Sequence, residues 1–165
     1  MKRLILIRHG DAPRSPNHDL ERSLSLIGEK QAATSGGYLK SYKIDKVLCS
    51  PTKRTIQTLQ LLQGPAGIID DIVEFVDDIY INTVDVLLSL VAAIEHVEET
   101  ILVVGHNPSL LDLAITYDSS AEEKWQNELA LGLKPAEVIV LEFPQANNWH
   151  ELASDTGKIT DMFVP

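Results

Sequence analysis

One cysteine, Cys49, occurs in 165 residues, so no disulfide can form within the chain. A chain of this length can bury a hydrophobic core without covalent staples. Cys49 sits in the apolar stretch Val47-Leu48-Cys49 and reads as a small core side chain. Nothing in the cysteine usage points to an oxidising compartment. Long apolar runs are also missing. The run Leu4-Ile5-Leu6-Ile7 gives way to Arg8, which is too short for a signal-peptide core. No other run approaches the ~20 residues that a membrane span needs. The expectation is a cytoplasmic protein with no membrane partner. Positive charge is scarce: 14 Lys and Arg stand against 24 Asp and Glu, a net charge of −10. Such a chain is not expected to bind nucleic acid. Its overall field repels phosphate esters, so any anion site must be built from local cations. The acidic stretches Asp70 to Asp78 and Glu95 to Glu99 read as solvated faces. Repeats, low-complexity segments and long linkers are absent, and the length suits a single domain over 1–165.

What is present is an alternation of strand-like and helix-like segments. Residues 3–7, Lys46–Cys49 and Thr100–Val104 are short apolar runs of the kind that form buried parallel strands. Between them lie helical patterns. Ser25 caps a helix predicted to reach about Tyr42, in which Gly36 and Gly37 would allow close approach to a sheet. Thr52 and Thr83 start two more, with Ile56, Leu59 and Leu62, and Leu87, Leu88, Val91 and Ile94, at helical spacing. Pro108 opens a fourth, with Asn107 as its cap. Ala121–Leu131 reads as a short helix in an otherwise ambiguous segment. Val138–Phe143 and Trp149–Ser154 read as a C-terminal hairpin around a turn at Pro144–Asn148. The pattern predicts a three-layer α/β/α fold with a mostly parallel sheet and a C-terminal hairpin.

Three predicted strands end in polar clusters: Arg8-His9-Gly10-Asp11, Ser50-Pro51-Thr52-Lys53-Arg54-Thr55-Ile56-Gln57-Thr58, and Gly105-His106-Asn107-Pro108. Ligands of open α/β sheets bind outside the carboxyl ends of the strands, and parallel strands would bring the three clusters together. The pooled inventory is two guanidinium forks suited to phosphate oxygens, Arg8 and Arg54, and two imidazoles, His9 and His106. Gly10 would let the backbone approach a ligand. The helix opening at Pro108 would turn its positive end toward the same region. This is the inventory of a phosphate pocket.

Arg8-His9-Gly10 directly after an N-terminal strand resembles the signature of the histidine phosphatase superfamily, the phosphoglycerate mutase-like fold. Ser50-Pro51 with Arg54 and Gln57-Thr58 resembles its second motif, and Gly105-His106-Asn107-Pro108 its third. Asp11-Ala12, the segment Asp19-Leu20-Glu21-Arg22-Ser23-Leu24 and a short region between the second and third motifs resemble the SixA-type phosphohistidine phosphatases. The resemblance implies that His9 takes the phosphoryl group as a covalent intermediate. It implies that Arg8, Arg54 and His106 bind its equatorial oxygens, with Gly10 and Asn107 also at the substrate. Arg8 and Arg54 would help keep His9 neutral. No metal or other cofactor is expected, since no His-Glu-x-x-His pattern or cysteine pair occurs and two arginines would repel a dication.

The departure is the general acid. Larger members of the superfamily carry a carboxylic acid in an insertion that is short here. Asp78 and Asp77 are the substitutes available, with solvated surface carboxylates as the alternative reading. An alkoxide leaving group needs a proton, whereas a phosphoramidate nitrogen can already carry one, so a site without a strong acid suits phosphohistidine. Three readings stand: a phosphatase of phosphohistidine-bearing protein, a phosphatase of small phosphorylated molecules such as sugar phosphates or nucleotides, and a non-catalytic module that binds phosphorylated partners. Arg14 and Arg22 are candidates for rim charge. Asp11 is expected to orient loop backbone, and Ser50 to bond loop backbone or a histidine's surroundings. His18, His96 and His150 read as surface or helix-end residues.

Overall fold

The computed structural model describes residues 1–16, 18–80 and 83–165. In chain order the regular elements are β1 (Lys2–Arg8), α1 (Leu26–Leu39), β2 (Lys46–Cys49), α2 (Lys53–Ala66), β3 (Val73–Phe75), α3 (Val84–Ala92), β4 (Thr100–Gly105), α4 (Ser109–Tyr117), α5 (Glu123–Ala130), β5 (Val138–Phe143) and β6 (Lys158–Phe163). The strands form one sheet in the order β3-β2-β4-β1-β5-β6. β3, β2, β4 and β1 run parallel, and β5 and β6 are antiparallel to their neighbours. It is a mixed sheet in an α/β fold.

Side chains on a strand alternate between faces, and here both faces are buried. Leu4, Leu6, Ile101, Val103, Ile139 and Leu141 join one apolar cluster with Leu87 and Val91 of α3, Leu110 and Leu113 of α4 and Leu129 of α5. Ile5, Ile7, Leu102, Val104, Val138 and Val140 join the other with Leu39 of α1 and Leu59 and Leu62 of α2. The sheet is thus the middle of three layers, which is why β1 and β4 read as unbroken apolar runs.

Helix starts follow their caps. Ser25 Oγ accepts from the Gly28 amide at 3.0 Å, and Thr52 Oγ1 accepts from the Thr55 amide. α1 ends at Leu39, earlier than Tyr42. Gly36 does bring α1 into close contact, but with α2: a Cβ there would lie 3.1 Å from Leu62 Cα, whereas one at Gly37 meets nothing within 4 Å. Asn107 does not cap α4. Pro108 holds that position after a cis peptide bond, and Asn107 Nδ2 donates instead to the Leu133 carbonyl at 2.9 Å.

The C-terminal hairpin exists with a different second strand. Trp149–Glu151 is a short 3-10 turn, and Lys158–Phe163 pairs with β5. Trp149 is apolar because it is buried in the core, with its indole N–H donating to the Glu98 carbonyl at 2.8 Å. The three-residue edge strand β3 was not anticipated.

Candidate active site

The registers of the parallel strands set where the three polar clusters meet. Arg8 pairs with Gly105, and Cys49 with Val104, so β1, β2 and β4 end level. The ladder runs one step further. The His9 amide donates to the Gly105 carbonyl at 3.1 Å, and the Ser50 amide to Val104 at 3.0 Å. Residues leaving the three strands therefore emerge side by side. Arg8, His9, Arg54, His106 and Asn107 line one cleft of about 340 Å³, and Arg14, Asp19, Arg22 and Tyr80 complete its wall. Size does not single this cleft out. A depression lined by Arg3, Lys43, Asp45 and Glu99 has about the same volume, near the opposite ends of these strands. The convergence of two imidazoles and four guanidinium groups does.

His9 is buried, with 7% of its surface exposed. Its Nδ1 lies 2.7 Å from the Gly10 carbonyl. A carbonyl only accepts, so Nδ1 carries the proton and Nε2 keeps its lone pair. Among the described residues Nε2 has no hydrogen-bond partner. Burial lowers the His9 pKa to about 4, with Arg54, Arg8 and Arg22 adding to the shift against the opposing Gly10 hydrogen bond. The arginines thus act as foreseen, but desolvation is the larger cause. His106 is likewise held neutral, at about 3, first by burial and then by Arg54. Its ring centroid lies 5.4 Å from that of His9. Its Nε2 is 2.8 Å from Ser50 Oγ and its Nδ1 is 3.4 Å from Arg54 Nη2. The guanidinium can only donate, so Nδ1 accepts and Nε2–H donates to the serine.

Gly10 does not offer its backbone to the cleft. Its amide donates to Thr58 Oγ1 at 3.0 Å, and Thr58 Oγ1 donates to the Arg54 carbonyl at 2.7 Å. A Cβ on Gly10 would lie 2.6 Å from the Gly28 carbonyl oxygen, so its smallness admits the start of α1. Its carbonyl fixes the His9 tautomer. Asp11 orients backbone as expected: its carboxylate accepts from Ser25 Oγ at 2.6 Å and its carbonyl from the Ser25 amide. On the second motif, Gln57 Oε1 accepts from the Leu24 amide at 2.9 Å. The Leu133 carbonyl accepts from both Arg8 Nη1, at 2.8 Å, and Asn107. The Nε atoms of Arg8 and Arg54 are buried with no partner among the described residues.

Asp77 and Asp78 are exposed on a 3-10 turn and do not line the cleft. The carboxylate that does line it is Asp19, which the motifs did not single out as a site residue. Asp19 Oδ2 accepts from Arg54 Nη2 at 3.0 Å and from the Tyr80 hydroxyl at 2.8 Å, and its Oδ1 accepts from Arg22 Nη1 at 2.9 Å. Its backbone carbonyl accepts from Arg54 Nη1 at 2.8 Å. The Tyr80 and Arg22 hydrogen bonds, with Arg54 behind them, hold this carboxyl far below the usual range. Tyr80 stands edge-on to His106, with ring centroids 5.8 Å apart. Ile79 seats the turn that carries it, against Gly105, where a Cβ would come within 3.1 Å of Ile79 Cγ2. Arg22 also donates to the Ala12 and Pro13 carbonyls, which folds the loop back on the cleft. His18 is exposed and stays outside the cleft.

Residues 4–85, spanning the first two motifs, match the Histidine phosphatase superfamily (branch 1). The proposed phosphohistidine phosphatase SixA from Nakamurella multipartitia has the same fold, with a TM-score of 0.83 and 27% identity over 99% of this chain and 96% of that one. Over residues 4–85 the chain carries the histidine phosphatase pattern, and over nearly its whole length it shares a SixA fold. Its class of chemistry is that of a phosphatase, a hydrolase acting on phosphoryl groups. The protein histidine phosphatase SixA complexed with tungstate shares the fold at 19% identity, with a TM-score of 0.79 over 99% of this chain and 97% of that one. A relative in sequence, the uncharacterized protein ML1117 of Mycobacterium leprae (strain TN), is 27% identical over 170 residues, covering 96% of this chain and 99% of the relative. No helix among the described residues is long and apolar enough to cross a membrane.

Proposed function

We propose that this phosphatase hydrolyses phosphohistidine on a partner protein through a phosphoryl group carried by His9. The carrying observation is a pairing of opposites in one cleft: a neutral imidazole with a bare Nε2, and no carboxylic acid placed to give up a proton among the described residues. The lining carboxylate, Asp19, is held ionised.

In this reading His9 Nε2 attacks phosphorus as the bond to the substrate nitrogen breaks, and water then releases phosphate. Arg8 and Arg54 hold the equatorial oxygens, whose charge redistributes in the transition state. His106 assists them through a change of tautomer. The Ser50 hydroxyl can donate as well as accept, so once Arg54 turns its Nη2–H from His106 Nδ1 to the phosphate, reversal of the Ser50 hydrogen bond leaves Nδ1–H to donate to a phosphoryl oxygen. Asn107 fixes the Leu133 carbonyl against Arg8 and so positions that guanidinium. Removing one such donor costs about 10²–10³ in rate. Two features favour phosphohistidine over alkyl esters. An imidazole leaving group departs without an enzymic acid, and the exposed rim residues Arg14 and Asp19 leave the cleft open to a side chain on another protein. Binding of tungstate, a phosphate-like anion, by a SixA of the same fold is consistent with an oxyanion cradle here.

The test is hydrolysis of a phosphohistidine-bearing protein by wild type and His9→Ala. The variant should be inactive, and labelled phosphate should be trapped on His9 in the wild type. Hydrolysis by the variant at the wild-type rate removes His9 from the mechanism. Turnover of alkyl phosphates faster than phosphoramidates would point to a small-molecule phosphatase instead.

A further inference from the structure

His9 sits on the buried floor of the cleft, while the Asp19 side chain is 46% exposed at its edge. In-line displacement puts the leaving group on the side of phosphorus away from the nucleophile. An attack from the floor therefore sends the leaving group toward the rim. The carboxylate of the cleft wall stands there.

That carboxylate is fixed rather than mobile. Arg54, Tyr80 and Arg22 each donate one hydrogen bond to it, at 3.0, 2.8 and 2.9 Å. A carboxylate offers roughly four acceptor sites; among the described residues three are used on this half-exposed side chain. An ionised carboxylate with a spare acceptor site binds N–H groups, more strongly when they are cationic. It repels a departing alkoxide.

We infer that Asp19 is a specificity-determining residue that binds the protonated nitrogen of the leaving group, and so selects phosphoramidates over phosphate esters. This rests on the phosphohistidine reading and deepens it. In a protonated phosphohistidine the proton sits on the ring nitrogen that does not carry phosphorus. Asp19 accepts a hydrogen bond from that N–H. The P–N bond breaks with its electron pair staying on nitrogen, the bond from His9 Nε2 to phosphorus forms, and imidazole leaves neutral with its proton in place. No proton is transferred, so the cleft needs no general acid. Simple phosphoramidate follows the same course: its nitrogen enters protonated and leaves as ammonia.

The experiment compares kcat/KM for phosphoramidate and for p-nitrophenyl phosphate, whose leaving group needs no proton, in wild type and Asp19→Asn. Both substrates present the same phosphoryl group, so a disturbance of Arg54 by the substitution acts on both. The ratio isolates the leaving group. Losing a charge-assisted hydrogen bond should lower the phosphoramidate preference on the order of 10-fold. Asp19→Ser, smaller and also neutral, gives the same readout should Asn fail to fold. A wild type that prefers phosphoramidate and a variant that keeps the full preference would overturn the inference and leave the phosphohistidine reading standing. A wild type that prefers the ester would overturn both.

Discussion

At the scale of single residues, the site works by keeping its histidines uncharged. A solvated imidazole near its usual pKa of ~6.5 is partly protonated at neutral pH and then has no lone pair to offer. His9 avoids this by burial and by its cationic neighbours, which bring it to about 4. The expected titration follows directly. In phosphate-free buffer, ring-nitrogen NMR should find His9 neutral at pH 6, with the proton on Nδ1 and Nε2 bare, and a midpoint near 4. A midpoint near the ordinary value, or a proton on Nε2, would remove the nucleophile assigned here. Bound phosphate should move the midpoint upward, because a dianion favours the imidazolium. His9, His106, Arg8 and Arg54 were legible in the sequence because each follows a strand end or opens a helix directly after one. Asp19 and Tyr80 were not. They reach the cleft from a loop and a 3-10 turn, where spacing carries no geometric information; the i, i+3 pair Asp19–Arg22 was the one local trace.

At the scale of elements, close approach of backbone to backbone sets the site. The loop after β1 and the start of α1 are pressed together through Gly10 and Gly28, where a Cβ on Gly28 would lie 2.2 Å from the Asp11 carbonyl oxygen. Backbone cannot yield as a flexible side chain does, so Gly28→Ala should lose about 1–3 kcal/mol of stability. It should also lower kcat/KM, since the shifted loop carries His9. Gly37 lies in the same helix with nothing within 4 Å of the added methyl. Gly37→Ala should gain about 0.5–1 kcal/mol by helix propensity and leave kcat/KM unchanged. Urea unfolding of the two variants checks both signs; equal effects would show that the loop, not the glycine, absorbs the clash. Helix starts were readable because caps are local chemistry, as Ser25 and Thr52 show. The last strand was not. Only Ile159 of β6 is buried, so Lys158–Phe163 lacks a clear apolar alternation, whereas Trp149 mimics a strand residue while serving the core from a turn.

For the whole molecule, the two buried imidazoles link folding to pH. Unfolding returns His9 and His106 to water, where each takes up a proton near pH 6.5, while in the folded state they resist until about 4 and about 3. Above pH 6.5 both states leave them neutral, and stability does not depend on them. Below it the unfolded chain binds more protons than the folded one, so stability falls as pH falls. The slope is up to ~1.4 kcal/mol per pH unit for each histidine. The window from pH 6.5 to 5 isolates this effect, because carboxylates of ordinary pKa scarcely titrate there. Glu137 opposes it: burial raises its pKa, so its protonation favours the folded state as pH drops. The discriminating measurement is therefore a comparison of slopes, by urea unfolding between pH 6.5 and 5 without phosphate. His106→Asn should reduce the wild-type slope by at least half, leaving the His9 share less the Glu137 contribution. An unchanged slope in that variant would mean that His106 is charged in the folded protein, and the cleft would then be a fixed cationic trap rather than a site that holds its imidazoles ready to react.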